Sequence, residues 1–575
     1  VIEPLISRQW FVKLSNFKQI LLKAVQKGEV EIVPPSYIPT YLRWIQDLRD
    51  WCISRQLVWG HPIPIWYNKE NPEHMLCWAR EGIPPEVEKN PEKWVQDPDV
   101  LDTWFSSALW PFSVFCWPEA TKELASCYPL AIQVTGHDIL FFWIARMMMM
   151  GWQALGTFPF RQVFLHGLIY GKSYWKEEAK GSITYLSKEE RKMYEKGELS
   201  HLKIGSKWEK MSKSKGNVLD PLDMMQEFGT DAIRFTLASI TTHLRQIDLD
   251  ERKFEESKNF MTKIWNGARF VFMHLSSLQA PFQIQESCLE IEDLWILSRL
   301  NYTIQECTNF LNSYHFDKAA MQIYHFFWDE FCAYYVELSK PALQGIRGEE
   351  QGKRHKQILL ALVLCASLRL LHPFTPFITE ELFEELKNSL PLADLRKEVQ
   401  EHSSPYLKEL LHALNAPVCA LAPFPKVVRP SDINPLIEEK FGLLTKVIHA
   451  IRLIRASMQL APSVEIELYV LGPPVETAFL DQQKTFLKAL VRIKKFSIVS
   501  KEPSSLGLLA KEVVGPYSLY IPFPEEKKAQ EKLRLDKEKE KMEKQVMGLQ
   551  TRLSNQEYCQ KARSEEHTSE LQSPM

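Results

Sequence analysis

Residues 358–371 read ILLALVLCASLRLL, a run broken only by Ser367 and Arg369. A helix with apolar side chains on every face cannot lie on a surface, so other helices must surround it. Helical spacing persists through the flanking sequence from Glu255 to Leu386, with Phe310, Tyr314 and the stretch 325–338 marking a long helix pair. The expected arrangement for 257–433 is an all-α bundle around one buried central helix.

Upstream the rhythm differs. Aromatic residues are dense from Tyr41 to about Gly171, and the short apolar runs 131–134 and 162–165 read as buried parallel strands beside helices. Alternation of this kind predicts a Rossmann-like α/β layer over 38–256, after an entering segment at 1–37. Residues 171–207 are polar and rich in Lys and Glu, and read as a surface insertion with a short helix at 188–196. After the bundle, 434–523 returns to mixed α/β, with strands expected at 464–471, 496–499 and 518–521. From 524 to 562 the chain is nearly all charged, but Leu535, Met542 and Leu549 recur every seven residues, with Val546 and Leu553 in the alternate register. That seam favours a coiled-coil arm over a single solvated helix. The tail 563–575 has no periodicity and reads as a translated sequencing adapter; an independently amplified gene that still encodes it would end that idea.

Bulk composition excludes more than it proposes. A chain of 575 residues that is 45% hydrophobic and 25% charged has enough apolar surface for several cores. The net charge of −2 advertises no nucleic-acid partner and excludes none. The ten cysteines are scattered without C-x-x-C spacing, so reduced thiols, a cytoplasmic setting and no metal site are expected. The most apolar stretch, 139–152, is too short for a membrane span and contains Arg146. No membrane partner is expected.

The strongest chemical signal is Lys210-Met211-Ser212-Lys213-Ser214, followed by Lys215-Gly216-Asn217. Lysines three apart among hydroxyl residues and a glycine make a loop able to wrap a polyphosphate, because an ammonium is a flexible point charge with three donors. By composition alone an exposed basic loop serves as well. The string KMSKS, however, resembles the second signature of class I aminoacyl-tRNA synthetases. Its neighbours resemble the valyl/isoleucyl/leucyl branch in the right order: DWCISRQLVWGHPIPIW from Asp50, DVLDTWFSSALWP from Asp99, VTGHDI from Val134, FFW from Phe141 and FLHG from Phe164. DTWFSSALWP is the form typical of valyl enzymes. The resemblance covers about residues 1–562.

That resemblance implies an ATP-dependent ligation of valine to tRNA(Val) by a cytoplasmic monomer, with magnesium accompanying ATP. Lys210 and Lys213 would carry the catalysis on the phosphates, with Met211, Ser212 and Ser214 completing the loop, and Lys213 would stabilise the activation transition state. Gly136 and Asp138 would approach the ribose, and His166 and Gly167 the adenine. Trp59 and Trp104 would wall the amino-acid side chain, although as residues alone they read equally well as core aromatics. An apolar pocket separates valine from isosteric threonine only about a hundredfold, and the family answers with a separate editing domain. VIEPLISRQWF at the start resembles the exit from that domain. The editing domain and the HIGH-type half of the nucleotide fold are then expected outside residues 1–562, which should not activate valine alone; measurable valine-dependent adenylation by them would refute this.

The bundle, with KIWNGAR from Lys263 and HPFTPFITEEL from His372, resembles the family's anticodon-binding domain. There Trp265 and Phe374 read as core rather than base-stacking residues. The charged terminal segment resembles the valyl arm that touches tRNA. Val58 and Pro62 depart from the usual valyl residues and favour an isoleucyl enzyme; a non-catalytic tRNA-binding relic is the other alternative. Zinc-binding cysteines carried by some relatives near Trp66 are lacking.

Overall fold

The computed structural model describes residues 8–177, 182–200, 202–240, 244–346, 350–401, 404–461 and 463–554. The chain divides into two units: Val1–Asn259 with Asn309–Met321, and Phe260–Thr308 with Gln322–Met575.

The first unit is built on a three-stranded parallel sheet. Strand β1 (Glu31–Val33) and β2 (Leu130–Gly136) flank β3 (Phe160–His166), which is central because Phe160, Val163, Phe164 and Leu165 are all buried. A parallel strand covered on both faces must be a nearly continuous apolar run, which is why 162–165 could be recognised. Between β2 and β3 the chain crosses over through a turn at His137–Ile139, a wide π-helical turn at Leu140–Ile144 and helix α1 (Ala145–Leu155). Gly156 ends α1 at φ 70°, the left-handed cap that glycine adopts without strain. Met147, Met148 and Met149 of α1 pack with Tyr41, Ile45, Val163 and Leu165 in the main core.

A second sheet follows at once. Strand β4 (Leu168–Glu177) pairs antiparallel with β5 (Ile183–Tyr185) and β6 (Ile204–Lys210), and parallel with β7 (Gln246–Asp248). The segment 171–207, read from its polarity as a surface insertion, has both its ends in this sheet. Its ends are sheet, held by backbone pairing and by ring contacts such as Trp175 with Tyr185 and Tyr174 with Tyr194. Gly205 is required there, since a Cβ would lie 2.5 Å from the Trp175 ring. Composition gave no sign of these strands because backbone hydrogen bonds, which hold a sheet, ask nothing of the side chains. The helix in this segment runs Lys188–Glu195 behind a Ser187/Glu190 capping box.

The second unit is the bundle, with Glu350–Leu371 at its centre. Every residue from His355 to Leu371 is buried. Helices Ile291–Asn312, Pro376–Ser389 and Pro405–Leu414 belong to the same bundle. Trp265 does not join its core: it is 47% exposed, whereas Phe374 is buried. The helix Arg252–Leu275 buries Ile264, Ala268 and Val271 at helical spacing, and Trp265 falls one position off that stripe.

The same unit contains a four-stranded mixed sheet in the order Ile493–Ile498, Ile466–Leu471, Tyr517–Pro522, Leu509–Val514. The last strand was not foreseen; it is an edge strand, LAKEVV, none of whose residues is fully buried. Residues 525–554 form one helix, Glu525–Ser554, on which Leu535, Met542 and Val546 are exposed. Residues 555–575, with the expected artefact tail and the end of the expected arm, lie outside the described residues. No described helix is long and apolar enough to cross a membrane.

Candidate active site

In the first unit the carboxyl ends of β2 and β3 stop side by side, with His166 opposite Gly136 in register. Open parallel sheets bind ligands at this end, where the following turns fan out. Gly136 has no room for a side chain: a Cβ would lie 2.8 Å from Asp138 Oδ1 and 3.1 Å from Leu168. Asp138 sits in the turn just after Gly136, so its carboxylate lies over the strand end. His166 Nδ1 lies 2.9 Å from the carbonyl oxygen of Gly167. Gly167 is equally constrained, because a Cβ would be 2.3 Å from the Leu244 carbonyl oxygen.

The KMSKS loop reaches this place because β6 ends at Lys210. Its ammonium lies 3.5 Å from Asp138 Oδ2, with side chains 72% and 38% exposed. A pair so open to water is worth less than about 1 kcal/mol, so Lys210 can exchange Asp138 for a ligand at little cost. The structure thus joins Gly136, Asp138, His166, Gly167 and Lys210. Sequence spacing alone gave no reason for Lys210 to meet Asp138.

The loop's shape is set by Asn217, which sequence reasoning passed over. Buried at 1% exposure, its Oδ1 accepts the Ser212 N–H (2.8 Å), and its Nδ2 donates to the carbonyls of Gly171 and Glu209, each at 3.3 Å. Gly171 must be glycine, as a Cβ would sit 2.2 Å from the Asn217 carbonyl oxygen. Ser212 and Ser214 hydroxyls bond each other at 2.9 Å. Lys215 pairs with Glu209, which lowers the carboxyl's pKa and raises the ammonium's. Met211 packs against Met224, Ile233, Leu249 and Phe254. The turn closes at Gly216 (φ 64°), where a Cβ would be 2.7 Å from the Leu186 carbonyl oxygen. The segment 182–187 is therefore packed against the back of the loop. Lys213 is exposed and lines a different groove of about 580 Å³, together with Arg191, Lys192 and Asp220.

The two tryptophans have different fates. Trp104 lies in the first turn of helix α2 (Thr103–Ser113), stacked on Phe142 at 5.9 Å. Asp102 caps that helix and is almost fully buried; its Oδ2 accepts from Trp51 Nε1 (2.8 Å) and pairs with Arg55 (2.9 Å) and Arg146 (3.6 Å). The Arg146 guanidinium lies 4.0 Å from the Trp51 ring centre and 5.9 Å from that of Trp104. Burial pushes its pKa down, Asp102 opposes this, and Arg55 adds to it. An arginine in an otherwise apolar helix was the available signal for this cluster. Trp59, by contrast, stands 92% exposed and is not brought to Trp104 as a second wall. Among the described residues, no three His, Cys, Asp or Glu side chains gather as a metal site would require.

Known proteins resemble this chain over most of its length. The family described as tRNA synthetases class I (I, L, M and V) matches residues 1–176 and 190–250, and the anticodon-binding domain of tRNA ligase matches 293–470. The chain belongs to the class I aminoacyl-tRNA synthetases. Valine–tRNA ligase of Protochlamydia amoebophila (strain UWE25) is 47% identical over 98% of this chain and 60% of its own length. That of Chlamydia pneumoniae is 43% identical over 98% of this chain and 59% of its length. Within the class its likeness is thus to valine–tRNA ligases, and it spans about 60% of the length of these relatives. Among solved structures it is similar to methionyl-tRNA synthetase of Mycobacterium tuberculosis in complex with methionyl-adenylate (TM-score 0.46, 16% identity, 65% of this chain and 62% of that one). It is also similar to the agnB2 LeuRS–tRNA–LeuAMS ternary complex of Agrobacterium radiobacter K84 (TM-score 0.42, 18% identity, 82% and 52%).

Proposed function

We propose that this chain carries part of the site at which valine is activated by ATP and passed to tRNA(Val). The observation that carries the reading is the Lys210–Asp138 pair, because it joins the KMSKS loop to the carboxyl ends of the parallel strands. Asp138 accepts ribose hydroxyls beside Gly136, and adenine lies against His166 and Gly167. Lys210 leaves Asp138 for the triphosphate, and Lys213 swings from its groove to the same phosphates, with Met211, Ser212 and Ser214 shaping the loop. The two ammoniums then stabilise charge that grows as diphosphate departs. Magnesium enters with ATP as part of the substrate. Trp104 forms one wall of the valine pocket, and Trp59 the other once its loop folds inward. The bundle takes the anticodon end of the tRNA, and the helix Glu525–Ser554 is the root of a coiled-coil arm lined with lysines for the tRNA backbone. The protein works as a cytoplasmic monomer.

Amino-acid-dependent ATP–diphosphate exchange by the complete gene product, with valine, isoleucine and threonine, tests this. Valine should give the fastest exchange, and Lys213→Ala should slow it by roughly 10²–10³. Faster exchange with isoleucine would move the reading to the isoleucyl branch that Val58 and Pro62 favour. No exchange with any of the three would leave a tRNA-binding relic.

A further inference from the structure

Three arginines converge on one groove in the second unit, far along the chain from KMSKS. Arg452 and Arg455 come from helix Pro435–Ser457, and Arg492 from the turn before strand Ile493–Ile498. With Ala456, Leu460 and Leu490 they line a cavity of about 380 Å³ that no carboxylate among its described residues enters. Arg455 is only 8% exposed and fixed in place, donating to the carbonyl oxygens of Ala461 (3.0 Å) and Val491 (3.4 Å). Burial and the neighbouring Arg492 charge both push its pKa down, as expected where like charges are held together. Arg492 and Arg452 are exposed and make no ion pair among the described residues.

Arg492 also occupies an unusual backbone position. It closes helix Lys484–Val491 at φ 50°, ψ 63°, the left-handed conformation that glycine adopts freely and a side chain resists. A cation at a helix C-terminus gains something from the dipole, but that reason does not call for three guanidiniums on one cavity. The rest of the lining is aliphatic and offers no acceptor that would orient a sugar or a base. Lys527, at the start of the long charged helix, donates to the carbonyl oxygens of Met458 (3.1 Å) and Gln459 (2.6 Å) at the end of the helix that holds Arg455. The groove therefore lies near the root of that helix.

We propose that the Arg452–Arg455–Arg492 groove binds a backbone phosphate of RNA, making the region 434–523 a sequence-independent contact. Planar guanidinium forks match phosphate oxygens two at a time, which suits them to this ligand better than ammoniums. The assignment of RNA rests on the tRNA reading above; the phosphate chemistry stands on the groove itself.

The test is fluorescence-anisotropy titration of labelled tRNA transcripts with the 575-residue chain at several salt concentrations between about 50 and 200 mM. The comparison variant is Arg452→Gln with Arg492→Gly. Glycine relieves the left-handed backbone, so this variant is expected to fold, which its melting curve checks. Loss of this phosphate contact should flatten the slope of log K against log salt by about 0.7–0.9. It should weaken tRNAs with different anticodons alike, and Arg452→Lys alone should keep the slope. Wild type and the double variant binding with the same slope and affinity would overturn the groove while leaving the tRNA reading intact. Wild type binding no tRNA would overturn both. Saturable binding of inorganic phosphate, lost in the double variant while the RNA slope stays unchanged, would make it a small-anion site instead and end the proposal.

Discussion

The two units use charge in opposite ways. In the bundle, Lys356 is 3% exposed and held by Asp293 (2.6 Å) and Glu292 (3.0 Å), which are themselves buried, with the Tyr335 hydroxyl donating to Asp293 (2.8 Å). These carboxylates also stand in the first turn of helix Ile291–Asn312, where negative charge favours the dipole. At the strand ends of the first unit, Lys210 and Asp138 meet in water at 3.5 Å. Buried charges that satisfy one another fix how helices pack. Charges left solvated, on a loop shaped by a buried amide, remain free to be taken by a ligand. The difference separates polar groups that hold the fold from those that serve chemistry.

The contrast breaks most readily at Lys356. Lys356→Met should cost about 3–5 kcal/mol, because it strands two carboxylates out of water; urea unfolding measures it, and a cost under 1 kcal/mol would abolish the distinction. Next comes Gly171→Ala, whose Cβ would meet the Asn217 carbonyl at 2.2 Å, a backbone atom that cannot swing away. We expect about 1–3 kcal/mol of destabilisation and faster hydrogen exchange in 210–217.

A smaller effect should appear with pH. His274 and His355 have pKa values lowered chiefly by burial and by nearby lysines, with Arg354 also acting on His355 and Asp293 opposing there. The neutral His355 Nε2 accepts the Gln285 N–H at 3.4 Å. With folded pKa values below the unfolded value of about 6.5, the unfolded chain holds more protons, so stability is lost as pH falls through that region. The urea midpoint of the bundle should drop between pH 7.5 and 5, and His355→Gln should flatten the drop; a midpoint rising toward acid would contradict it. Smallest of all, Lys210→Ala should change stability by less than about 0.5 kcal/mol. A larger loss in the melt would mean that Lys210 belongs to the fold.

Much of the frame was legible in residue order. The run 358–371 demanded a central helix and received one, since apolar surface on all sides has only one resting place. The runs 131–134 and 162–165 both fall within the parallel strands, but only the second is buried on both faces; in the first Ala131 and Val134 are exposed and Gln133 is buried. KMSKS and the GHD turn were visible as strings, and the family likeness gave them roles. Polarity concealed the strands within 171–207: it reads as a surface insertion, and its ends pair in a sheet while Leu186 backs the loop at Gly216. Trp265 looked like core because tryptophan is usually buried, but its place on the helix is one residue off the apolar stripe.

The sequence by itself determined which segments must be buried and which loop could hold phosphate, because burial and donor chemistry are properties of side chains read in order. Only the tertiary structure decided that Lys210 meets Asp138, that Asn217 ties 212 to 171 and 209, and that Arg452, Arg455 and Arg492 share one groove. Those contacts join residues 72, 46 and 37 positions apart, and no local preference of the chain specifies them. They follow from strand register and helix packing, which are settled by the whole buried surface at once.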